Sequence, residues 1–134
     1  MRRQTLMTSL TLSLTLLGVL LPSASKADNP TPFAGTVVAK TAHNYVTLVE
    51  RLLEAVAANK MGVVARASAT YGAKKLGITI AGNQVVMVFH PKFAVRMLKA
   101  SIGAGIEAPL RYYITENDDG TTTLTYRKPI SIFA

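Results

Sequence analysis

The chain of 134 residues contains no cysteine and no tryptophan, and only 7 acidic side chains. Without a thiol there is no disulfide scaffold, no thiolate zinc or iron–sulfur site, no cysteine nucleophile and no lipid attachment at cysteine. Acids this few and scattered supply no paired carboxylates for general acid–base hydrolysis. Ser68, Ser101 and Ser131 stand outside any nucleophile-elbow context. Gly103-Ala104-Gly105 is too short to cradle a phosphate, and the Lys-Ser/Thr of a nucleotide site is missing. Enzymatic chemistry therefore has almost no residue support, and no cofactor is implied. What the sequence does hold is base and hydrocarbon: 15 Lys+Arg give a net charge of +8, and 49% of residues are apolar. A chain of this length forms one domain whose core suffices without metal or disulfide staples.

Part of that charge sits in the first segment. Arg2 and Arg3 precede a Leu-rich stretch from Leu6 to Leu21, which Pro22 and the small residues Ser23-Ala24-Ser25 close. This is the three-part order of a secretory signal peptide, and small side chains at Ser25 and Ala27 place cleavage between Ala27 and Asp28. A retained membrane anchor is the other reading, but a span needs about 20 mainly apolar residues. This stretch is shorter and is interrupted by Thr8, Ser9, Thr11, Ser13 and Thr15. Thr5 stands where a twin-arginine signal prefers an apolar residue, which favours general secretion. Removing residues 1–27 takes away Arg2, Arg3 and Lys26 and no acid, lowering the net charge from +8 to +5. The expected destination is the periplasm or the exterior, with the membrane touched only through an uncleaved leader.

The remaining chain reads as an extended segment over 28–35 and a globular domain over 36–134. Thr36–Thr41 is β-branched and reads as a strand. Thr47 followed three residues later by Glu50 predicts a capping box, and Tyr45, Leu48, Val49, Leu52, Leu53 and Val56 recur at helical spacing up to an end near Gly62. Val63 to Ser68 reads as a strand and Ala69 to Leu76 as a short helix stopped by Gly77. Gln84 to His90 is apolar at five consecutive positions, the mark of a central strand. Pro91 opens a helix running to about Ser101. A loop over Ile102 to Pro109 leads into a half-buried strand from Leu110 to Thr115, and Asp119-Gly120 predicts a two-residue hairpin turn into Thr121 to Arg127. The order β-α-β-α-β-α-β-β implies a single compact α+β domain, with helices packed on a mixed or antiparallel sheet. There is no internal repeat.

Several of these stretches together resemble the family called domain of unknown function 302. The resemblance spans about Thr41 to Pro129. It rests on Tyr45…Thr47, Ala69…Ala73-Lys74-Lys75-Leu76-Gly77, Phe89-His90-Pro91, Ala108-Pro109-Leu110, Asp119-Gly120 and Tyr126…Pro129. It implies a compact α+β fold of the TATA-binding-protein-like class, commonly dimeric, and no established activity. His90 departs from the Asn that precedes the proline in the most typical members. Many members also continue into a further helix where this chain stops at Ala134, so the apolar tail Ile130 to Phe133 is expected to add a strand or cover a sheet face. A missing helix would leave apolar surface for a second subunit.

His90 closes a strand just before a helix, a usual place for ligand groups, although capping the adjoining turn is the commoner role of such a histidine. His43 ends the first strand. If the two strands are neighbours, both imidazoles with Glu107 or Asp118 would ligate a divalent ion, although no HxH or HxxxH spacing supports this. Lys74, Lys75, Lys92, Arg96 and Lys99 fall on two helices, where they either hold an anionic ligand or lipid head group or simply face water near helix C-termini. Tyr71, Tyr112, Tyr113 and Tyr126 read as core or rim residues. No nucleic-acid reading motif is present. The expectation is an exported, non-enzymatic domain, homodimeric, binding a small apolar or anionic ligand or a protein partner through Phe89, His90, Lys92, Tyr112 and Tyr126. The alternative is a periplasmic metal-handling protein or enzyme using His90 and His43.

Overall fold

The architecture follows from where hydrocarbon recurs along the chain. A computed structural model describes residues 34–133, so the leader, its cleavage site and most of the extended segment lie outside the described residues. Its elements are β1 (Thr36–Thr41), α1 (Tyr45–Ala58), β2 (Gly62–Ser68), α2 (Ala69–Lys75), β3 (Asn83–Phe89), α3 (Pro91–Ala100), a 3-10 helix (Gly103–Glu107), β4 (Leu110–Glu116), β5 (Thr122–Arg127) and α4 (Pro129–Phe133). The strands form one sheet in the order β1-β5-β4-β3-β2, antiparallel at every pairing.

Helix α1 presents Leu48, Val49 and Val56 to Val86 and Val88 of β3 and Ile114 of β4, with Leu52, Leu53, Tyr112 and Leu124 packed around them. Val86 and Ile114 are 0% exposed. Because alternate residues of a strand point to opposite faces, the other side of β3 carries Val85, Met87 and Phe89, and these remain half-exposed. On that same face Val38 is 44% exposed and Tyr113 38%. The five-residue apolar run of β3 thus marks a strand paired on both edges, but β4 takes the centre of the sheet and β3 lies beside it.

Local signals were obeyed in kind and displaced in detail. Asn44, not Thr47, caps α1: its Oδ1 accepts the Thr47 N–H at 2.9 Å. A cap three residues earlier lets Tyr45 and Leu48 begin the buried face, and an Asn carboxamide reaches the free N–H as well as a hydroxyl does. The helix closes before Gly62. Lys60 adopts φ 56°, and the N–H groups of Lys60 and Met61 donate to the carbonyls of Ala57 and Val56, a Schellman closure without glycine. Gly77, at φ 74°, closes α2 the same way, with Ile78 donating to Ala73.

The hairpin is longer than Asp119-Gly120 alone predicts. Asn117 to Thr121 form the loop, Gly120 donates to the Asn117 carbonyl, and Gly120 occupies the left-handed position at φ 78°. Asp118 and Asp119 are therefore the central residues of the turn, and the glycine follows them. The stretch after α3 is a 3-10 helix rather than plain loop, and the tail from Pro129 is a short helix rather than a strand. Pro129 supplies the fixed φ of a first helical position.

Candidate functional site

One sheet end, where β2 begins, β3 ends and β4 begins, is shaped by the turn from β3 into α3. His90 is the N-cap there. Its backbone is extended, and its Nδ1 accepts the Lys92 N–H at 3.1 Å while Pro91 starts the helix. Phe93 lies against the imidazole, ring centroids 5.1 Å apart. The turn fixes α3 beyond the sheet end, with the 3-10 helix alongside.

Between these elements opens a cleft of about 730 Å³. Met61, Phe89, Phe93, Met97, Leu110 and Ile132 give it apolar walls, and small alanines of α3 and the 3-10 helix keep it open. His90, Ser101 and Arg96 are its polar members, and no acid lines it. A cavity of this size and character has room for a small apolar molecule, and its one guanidinium is able to pair with an anionic group.

Of the residues the sequence pointed to, Phe89 and His90 line this cleft. Lys92 does not, because the first turn of α3 carries it outward to an exposed position. Tyr112 and Tyr126 stack on each other across β4 and β5, centroids 5.4 Å apart, on the face that α1 covers. Burial, and then the neighbouring Tyr126 phenol, push the Tyr112 hydroxyl above its usual pKa. Met61, Arg96 and Met97 complete the cleft. Arg96 was visible in the sequence only as one base among five, and Met61 carried no signal of its own.

The two histidines are far apart. β1 and β3 are not neighbours and run antiparallel, so that His43, after the end of β1, and His90, after the end of β3, lie at opposite ends of the sheet. A seven-residue strand separates such positions by roughly 20 Å, which no shared first-row ion can bridge. Glu107 sits at the His90 end bound to Arg127 at 3.2 Å, and Asp118 lies in the hairpin at the other. Among the described residues no three His, Asp or Glu side chains come together to hold a metal. The basic group divides likewise. Lys74 and Lys75 end α2, where Lys75 lies 4.6 Å from the Tyr71 ring, whereas Lys92, Arg96 and Lys99 lie beyond the far end of β3.

A second depression, of about 560 Å³, lies near the α1 N-terminus among Tyr45, Arg66, Tyr71 and Gln84. It is already satisfied internally. Arg66 Nη2 donates to Gln84 Oε1 at 2.8 Å, and burial raises the Tyr45 phenol pKa against the lowering effect of Arg66. The Tyr45 ring stands so close to Gly82 that a β-carbon there would approach it to 2.5 Å.

An antiparallel five-stranded sheet, with helices packed on it and an apolar cleft at one end, defines a small α+β domain. The chain belongs to the family described as Domain of unknown function DUF302, whose model matches residues 37–134. It is similar to the crystal structure of an uncharacterised conserved DUF302 protein from Bacillus stearothermophilus, at 21% identity and a TM-score of 0.65, over 75% of this chain and 78% of that one. At that identity the likeness concerns the fold. Among curated proteins none matches the chain.

Proposed function

We propose that this protein is an exported, non-enzymatic binding domain that acts as a homodimer and holds a small amphiphile in the cleft at the C-terminal end of β3. The observation that carries the reading is the cleft itself: apolar walls, Arg96 at their border, and no acid among its lining. An apolar body fills such a space while a carboxylate or phosphate end pairs with the guanidinium. The imidazole of His90 caps α3 through Nδ1 and is among the residues that line the same space. Export rests on the tripartite order of residues 1–27. Dimerisation is supported by β2, an edge strand of which every residue but Ser68 is exposed, including Val63 and Val64. An apolar edge of this kind pairs readily with a second copy of itself.

The test is native mass spectrometry of protein purified without denaturant, followed by a thermal-shift panel of fatty acids, alkyl phosphates and inorganic anions. The expected result is a co-purifying amphiphile and a rise in Tm with anionic amphiphiles, reduced at least about tenfold in affinity by Arg96→Gln, as loss of a charge-assisted hydrogen bond of about 1.5 kcal/mol or more requires. Protein that is repeatedly empty and unmoved by the panel overturns the ligand reading.

A further inference from the structure

The outer surface of α3 is built differently from a helix that faces water. Lys92, Arg96 and Lys99, at spacings of four and three, form one stripe, and α3 carries no acidic residue at all. Beside that stripe Val95 and Leu98 share a second outward face at 53% and 43% exposure. The chain then breaks at Ser101 and the 3-10 helix folds back, so that a β-carbon on Gly105 would lie 3.2 Å from Leu98 Cδ2. This return brings Gly105 against Leu98 and leaves Ile102 and Ile106, on either side of that glycine in the chain, 83% and 82% exposed. The result is an apolar ridge edged by cations. More positive charge gathers at the same sheet end, where Lys60 and Lys128 are exposed and Arg127 already engages Glu107.

We infer that α3 and the 3-10 helix dock this domain on an anionic lipid bilayer, the isoleucines entering the interface while Lys92 and Lys99 meet the head groups. A short amphipathic element with bases along its polar face and branched apolar side chains beside it lies in the plane of such a surface. Charge decides between this partner and a second copy of the chain. A two-fold contact would set the cations of α3 against those of its mate, whereas the one acid of this segment, Glu107, is held by Arg127. An anionic surface complements the whole stripe at once. The inference goes beyond the cleft reading and stands if the cleft proves empty.

The absence of tryptophan makes the test direct. Ile106→Trp puts a lone fluorophore on the ridge, and Leu76→Trp puts one at an equally open site after α2, at the opposite end of β3. The full chain carries its leader in both, so a difference between them belongs to the ridge. With phosphatidylcholine vesicles containing phosphatidylglycerol, the emission of Ile106→Trp should shift to the blue and that of Leu76→Trp should not. Pure phosphatidylcholine should shift neither. Lys92→Gln and Lys99→Gln should each weaken partitioning roughly fivefold. No blue shift, equal shifts of both probes, or sedimentation with vesicles while Ile106→Trp stays red each overturn the inference. A blue-shifted Ile106→Trp in a species of doubled mass without vesicles overturns it in favour of a second copy.

Discussion

The face of the sheet under α1 and the region beyond His90 are both built of hydrocarbon and use it in opposite ways. Under α1, branched side chains from helix and sheet interlock until Val86 and Ile114 are fully buried. Past His90, the comparable side chains of α3 and the 3-10 helix line an open cleft on one side and meet solvent on the other. Stability therefore belongs to the first region. The second is positioned by a helix cap and a chain turn, and its apolar groups remain available for contacts outside the fold.

The largest test of that contrast is truncation. Ile114→Ala should cost about 2–5 kcal/mol in chemical denaturation, because the cavity it leaves lies between α1 and the sheet. Ile102→Ala should fall within about 0.5 kcal/mol of the parent, as exposed positions do. Comparable losses at both sites would abolish the distinction. Next comes the joint between the regions: His90→Ala should cost about 1 kcal/mol through the lost cap, while His90→Asn, whose carboxamide also accepts from Lys92 N–H, should restore it. If Asn fails where His succeeds, the imidazole does more than cap.

The smallest effect belongs to pH. Tyr112 has its pKa raised in the folded state, first by burial and then by Tyr126, so folding favours the protonated phenol. The associated stability is complete below the unfolded value near pH 10 and is lost as pH rises through the folded value. Tyr112→Phe should flatten the alkaline limb of the stability curve and leave the neutral range unchanged. An unaltered alkaline limb would place Tyr112 outside the desolvated region.

The element order and the buried face of α1 were legible because both rest on period. Helical spacing selects the six residues from Tyr45 to Val56, and all six pack into or against the core. Caps were less legible. Asn44 and Thr47 are both competent N-caps, and what chooses Asn44 is the need to bury Tyr45 one residue later. Gly77 could be read from sequence because glycine adopts φ above zero freely. Lys60 in the same role could not, since nothing in a lysine announces it. The cleft was half legible. Phe89 and His90 stand at the end of a strand, but Met61 and Ile132 come from elements far along the chain.

What the sequence determined by itself is the set of elements, their amphipathic faces and the capping role open to His90, because these depend on contacts within a few residues. Strand order was decided only in three dimensions. Antiparallel pairing carried β4 to the centre, placed His43 and His90 at opposite ends, and divided five bases that looked like one cluster. Loop closure brings together residues whose separation along the chain bears no relation to distance in space, and no local pattern records that choice.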